Sequence, residues 1–246
     1  MKIQTAIILA AGMGTRLKQL GQSIPKGFLQ LGEQTIIEES IERLTSCGIQ
    51  RIIIITGHLS QFYEDLKKRY NQQIVTVHNP RYADSGSMYS LYCAKELIDG
   101  DFLLLESDLI YERRALDAVL TFPQDNVILL SGATNAGDEV YVATVGEKIV
   151  AMSKNPAELG NQIAGELVGI SKISQPLFQK MLEQANLKFE TSLKVDYETD
   201  ALVAAAQSYP VYYKVVADLL WAEIDDRDHL LRAKEQIYPA ICNKDA

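Results

Sequence analysis

With 246 residues, 47% of them hydrophobic and 8% aromatic, the chain can bury a full core and lacks the apolar-poor composition of a disordered one. A formal net charge of −8 speaks against nucleic-acid binding, which needs a basic stripe to displace counterions. No apolar run approaches the roughly 18 residues of a membrane-spanning helix, so no membrane partner is expected.

Lys2 precedes a run from Ala6 to Ala11 that leads straight into glycines rather than to a signal-peptide cleavage site. Thr5–Leu9 is expected as a buried parallel strand. Thr35–Cys47 places Ile36, Ile37, Ile41 and Leu44 on one helical face, and Gly48 stops it. Strands are expected at Arg51–Thr56, Ile74–His78 and Phe102–Glu106, with helices at Gln61–Tyr70 and Ser87–Leu97 between them. That alternation implies an α/β fold of Rossmann-like character, a mostly parallel sheet with helices on both faces. Beyond it the rhythm changes. A hairpin over Val140–Val145 and Lys148–Ser153 and an extended run Gly165–Ile173 predict an inserted mixed-strand arm. Helices at Gln175–Gln184 and Asp200–Gln207, strands at Val211–Val216 and Trp221–Ile224, and a helix at Asp226–Gln236 complete the chain. Without a linker or repeat, residues 1–246 read as one domain, a nucleotide-binding part to about 130 and an acceptor-binding part after it. Cys47, Cys93 and Cys242, odd in number and scattered, read as reduced thiols of a cytoplasmic protein.

The stretch LAAGMGTRLKQLGQSIPKG follows the first strand. It is not the dinucleotide fingerprint, because Leu17 stands where the third glycine belongs, and it is not a P-loop. What it offers is an anion site: Leu9, Ala10, Ala11, Gly12, Met13, Gly14 and Thr15 supply backbone, Arg16 a bidentate donor and Lys26 a second cation. On such an exposed site, removing Arg16 or Lys26 should harm turnover far more than stability. Two strand ends carry carboxylates, Glu106-Ser107-Asp108 and Trp221-Ala-Glu-Ile-Asp-Asp226. Strand ends are where open α/β sheets place ligand groups, although Asp108 can also end a turn and Asp225 or Asp226 can also cap the next helix.

The string L-A-A-G-x-G-T-R-L with the later P-K resembles the signature of nucleotidyltransferases that join a nucleoside triphosphate to a sugar phosphate or alcohol phosphate. PKGFLQLG, SGSMYSL, LLLESDLIY, SGATNAGDEVYV, GELVGI and EIDDRDHL extend that resemblance along nearly the whole chain. It is nearest the small-alcohol branch: the 2-aminoethylphosphonate cytidylyltransferases first, the phosphocholine cytidylyltransferases next. The resemblance implies CTP and Mg²⁺, with Arg16 and Lys26 meeting charge as pyrophosphate leaves and Asp108 holding the metal with Glu223 or Asp225. It also places Lys154, after the hairpin, opposite the acceptor's phosphonate. Ser85, Gly86 and Ser87 are candidates to read the base, or a serine there simply caps the helix. For the acceptor's amine, two acidic clusters with tyrosines stand open: Asp138, Glu139 and Tyr141, or Tyr197, Glu198 and Asp200. Either could instead be a wet surface.

Overall fold

The computed structural model describes residues 3–70 and 72–245; Lys2 lies outside them. In chain order the elements are β1 (Thr5–Ala10), α1 (Gln19–Ser23), α2 (Ile36–Ser46), β2 (Arg51–Thr56), α3 (Gln61–Lys67), β3 (Ile74–His78), α4 (Ser87–Cys93), β4 (Phe102–Glu106), β5 (Leu109–Tyr111) and α5 (Arg114–Leu120). They continue with β6 (Val127–Ser131), β7 (Tyr141–Val145), β8 (Lys148–Ser153), β9 (Ile163–Ile173), α6 (Gln175–Phe189), α7 (Val203–Ala206), β10 (Tyr212–Val216), β11 (Trp221–Glu223), α8 (Arg227–Arg232) and α9 (Tyr238–Asp245).

One sheet of order β3-β2-β1-β4-β9-β6-β10-β8-β7 carries the molecule. Its first four strands are parallel, in register Thr5↔Arg51, Thr5↔Phe102 and Ile52↔Ile74. Their side chains alternate between two cores: Ile7 and Leu9 pack with α4 and α6, while Ala6, Ile8 and Ala10 pack with α2, α3 and α5. Both faces are therefore covered, which is why RIIIIT reads as a continuous apolar run. In α2 the expected stripe is buried, and a capping box of Thr35 and Glu38 starts the helix.

The parallel part ends at β4, where β9 enters antiparallel (Phe102↔Ile173). Gly169, at φ 80°, sits where the pairing of β9 with β6 shifts register. Beyond that point β9 leaves β4 and pairs with β7 instead (Tyr141↔Glu166). Strands β9, β6, β10, β8 and β7 thus pair in a closed circuit. The expected arm is part of the main sheet, and the sequence patterning does not predict β5, α5 or β6.

Candidate active site

Two cavities meet at the carboxyl ends of β1 and β4, sharing Glu106 and Glu223 on their walls. The first, about 200 Å³, is lined by Leu9–Gly12, Lys26, Ser85–Ser87 and Asp108. β1 delivers its chain into this cavity. At Gly12 an added Cβ would meet nothing within 4 Å, so the backbone there is open to a ligand. Gly14, at φ 59°, makes the turn against Gly21, and neither it nor exposed Met13 and Thr15 lines the cavity.

The Ser85–Ser87 loop is held from behind. Asn79, fully buried after β3, donates from its amide to Ser85 Oγ at 3.0 Å and to Ser90 Oγ at 3.0 Å. Gly86 is the N-cap of α4, with no side-chain cap, so neither serine caps the helix. Instead Ser87 Oγ accepts from the Tyr197 amide at 2.9 Å.

At the junction Lys26 Nζ donates to Asp108 Oδ2 at 2.7 Å and to Asp225 Oδ1 at 2.5 Å. Arg16 reaches the same Asp225 oxygen at 2.6 Å and lies 3.7 Å from Asp138. Burial works to discharge Lys26, but the two carboxylates outweigh it and hold its ammonium well above its ordinary range. At Asp225 burial works the other way from the hydrogen bond to Asp138 and the pull of Lys26 and Arg16, and these hold its carboxyl well below its usual range. Asp226, not Asp225, is the helix cap: its Oδ1 accepts from Asp228 and His229 amides, both at 2.9 Å. Asp225 is thereby left to face the site. Lys26 is not the exposed cation expected, since only 17% of its side chain is accessible against 54% for Arg16.

Oxygens of Glu106, Asp108 and Glu223 lie within 4.8 Å of one another, and Asp138, Asp225 and His229 form a second such group. Glu223 is pushed up to about 9 by burial and by the charges of Asp108 and Asp225; burial and Glu223 likewise raise Glu106. Asp108 and Asp225, which converge on Lys26 Nζ, offer the all-oxygen donor set that suits Mg²⁺, a hard cation that takes carboxylates and keeps water, with Glu223 beside Asp108.

The second cavity, about 90 Å³, is lined by Arg16, Asp138, Glu139, Lys154 and Glu198 besides the shared pair. The glutamate of the first cluster is turned on its own loop: Glu139 accepts from the backbone amides of Ala136, Gly137 and Glu139 and faces Thr134 Oγ1 at 3.5 Å. Glu198 keeps a buried, unpartnered Oε2, and burial pushes its carboxyl up to about 7.

Three expected acceptor residues do not line this cavity. Tyr141 lies beside Glu139 with its hydroxyl 3.5 Å away and no cavity contact. Tyr197 is 1% exposed, in the core, with its hydroxyl toward Glu106. Asp200 pairs with Lys188 and accepts from the Asp196 amide at 3.0 Å, so it fastens its own turn. Glu198 and Asp200 are two positions apart on the helical turn Tyr197–Leu202, and residues at that spacing point to opposite sides of it. Glu106 and Trp221, from the two carboxylate-bearing strand ends but expected in no specific role, line this cavity too, as do His229 and Arg232, for which the sequence gives no signal. His229 and Arg232 hold the 134–136 backbone, at 3.2 Å to Ala136 O and 2.8 Å to Thr134 O.

Choline-phosphate cytidylyltransferase of Streptococcus pneumoniae is 38% identical over 107 residues, 44% of this chain and 46% of that one, so the match spans under half of that relative. 2-Aminoethylphosphonate cytidylyltransferase of Lancefieldella rimae is 29% identical over 175 residues, 70% of this chain and 67% of that one. In fold, the inositol-1-phosphate CTP transferase of T. maritima superposes with a TM-score of 0.78 at 18% identity, covering 98% of this chain and 96% of that one. Residues 6–130, just over half of the chain, match the model of the MobA-like NTP transferase domain, and they include the glycine loop, Lys26, Ser85–Ser87 and Asp108. The chain belongs to the MobA-like NTP transferase domain family.

Proposed function

We propose that the protein transfers CMP from CTP to a small amine-bearing phosphonate, 2-aminoethylphosphonate, releasing pyrophosphate. CTP occupies the first cavity, its phosphates along Gly12 and its base toward Ser85–Ser87. The acceptor occupies the second, with its phosphonate toward Arg16 and Lys154. An oxygen of the phosphonate attacks the α-phosphorus in line, and the bond from that phosphorus to the bridging oxygen of the β-phosphate breaks. The attacking oxygen is already ionised, so no general base is needed. Arg16 and Lys26 face the charge that grows on pyrophosphate. Asp108 and Asp225 would hold Mg²⁺, with Glu223 as their neighbour. When bound, the ion supplies electrophilic stabilisation of the reacting phosphate.

The observation that carries the choice of acceptor is the polarity of the second cavity. Glu106, Glu198 and Glu223 line it, while among the described residues no tyrosine or phenylalanine does. A primary ammonium has three N–H donors for such carboxylates, and its charge favours their ionised form. A trimethylammonium donates nothing and favours aromatic faces, of which Trp221 alone is offered here besides the His229 ring. The names of the curated relatives support the cytidylyl donor and small phosphate or phosphonate acceptors. The test is pyrophosphate release with each of four nucleoside triphosphates, Mg²⁺ and a panel of acceptors. CTP with an aminoalkylphosphonate should give the signal. A signal only with sugar 1-phosphates, or only with another nucleotide, would overturn the proposal.

A further inference from the structure

The loop that walls the nucleotide cavity and the segment that walls the acceptor cavity are far apart in sequence, yet they are bonded as one piece. Gly86 N–H donates to Leu193 O at 2.8 Å and Met88 N–H to Val195 O at 3.0 Å. Between them, Ser87 Oγ accepts the Tyr197 N–H at 2.9 Å, across 110 positions of chain. The approach requires glycine, because a Cβ on Gly86 would lie 2.3 Å from the Val195 carbonyl oxygen. Tyr197 then opens the π-helical turn, its ring anchored in the core at 1% exposure. The next residue, Glu198, lines the acceptor cavity with one oxygen buried and unpartnered. A π turn replaces the regular i→i+4 ladder, so its first amide depends on an outside acceptor.

We propose that Ser87 is a positioning residue: by accepting the Tyr197 amide it fixes the start of the π turn and thereby aims the Glu198 carboxylate into the acceptor cavity. The nucleotide-facing loop and the acceptor-facing wall then move as a unit. The assignment of the two cavities rests on the function proposed above, but the mechanical tie does not.

Ser87→Ala, Ser87→Thr and Glu198→Gln in the full chain test this. In hydrogen-exchange mass spectrometry without ligands, Ser87→Ala should exchange about fivefold faster over residues 195–202, the fold-change for loss of one ordinary hydrogen bond of about 1 kcal/mol. Ser87→Thr, which keeps the hydroxyl, should restore the wild-type rate, and Glu198→Gln should leave it unchanged. In kinetics, Ser87→Ala should raise the acceptor KM about fivefold, and Ser87→Thr should bring it back to the wild-type value. Unchanged exchange over 195–202 in Ser87→Ala would overturn the proposal. So would a Ser87→Thr protein that exchanges as fast over 195–202 as Ser87→Ala. The exchange experiment needs no turnover, so a wrong acceptor and a wrong positioning role give different results.

Discussion

Replacing Lys26 by alanine removes the ammonium on which Asp108 and Asp225 converge. Those two carboxylates are 9% and 4% exposed, and the amine donates to them at 2.7 and 2.5 Å. Without it they face one another out of water, with Arg16 the remaining cation on Asp225. Removing one partner of a buried ion pair costs about 3–5 kcal/mol. Relief by Arg16, or by protonation of one carboxyl, points to the lower end, about 3 kcal/mol. For a chain of this length that is a fall in Tm of about 6–12 °C. Arg16→Ala should cost about 0–1 kcal/mol, because its guanidinium is half exposed and screened. Both variants should lose turnover. Thermal melts of each, in EDTA and in millimolar Mg²⁺, separate the roles. Mg²⁺ should restore part of the Lys26→Ala loss by supplying charge to the same carboxylates, and should do little for Arg16→Ala. A Lys26→Ala protein melting within about 2 °C of wild type in EDTA, or an Arg16→Ala protein melting lower than it, would refute this picture of the triad.

Asp108→Asn keeps the volume and loses an ionised ligand, so kcat should fall about 100-fold or more with circular dichroism unchanged; near-normal activity at saturating Mg²⁺ would remove Asp108 from the site. At α2, Glu38 is held below its ordinary pKa of 4.5: burial opposes this, but hydrogen bonds from Thr35 and the charge of Arg69 prevail. Its ionised form therefore stabilises the fold at neutral pH, and that contribution disappears as pH falls below 4.5 through the lowered value. Denaturant titrations should show Glu38→Gln less stable than wild type by under about 1 kcal/mol at pH 7, with the gap closing in acid; a gap that widens in acid would contradict the sign.

Much of this fold is legible because buried parallel strands announce themselves. TAIILA, RIIIIT and FLLLE are apolar on both faces, and the first and last of them end at the cavities. The short elements are not legible in that way. β5 has three residues and α5 seven, and their pairing with β11 and packing under β6 exist only in three dimensions. The glycine loop, Lys26 and Asp108 lie together in sequence-readable motifs, and the fold brings them together. Which residue is helix cap and which faces the site was undecidable from Asp225-Asp226, since both fit the spacing; the backbone direction at Asp226 decides it. The acceptor side was hardest. Glu106 and Glu198 converge from residues 92 apart in sequence, and once Tyr197–Leu202 is helical, Glu198 and Asp200 at i and i+2 point to opposite sides.

The most direct measurement is competition between 2-aminoethylphosphonate and phosphocholine for CTP, with both CMP products followed in one reaction by ³¹P NMR or mass spectrometry. Because the acceptor cavity presents Glu106, Glu198 and Glu223, kcat/KM for 2-aminoethylphosphonate should be at least about tenfold higher, a difference of about 1.4 kcal/mol in transition-state binding. Parity between the two, or a preference for phosphocholine, would contradict the assignment of those carboxylates to a primary ammonium.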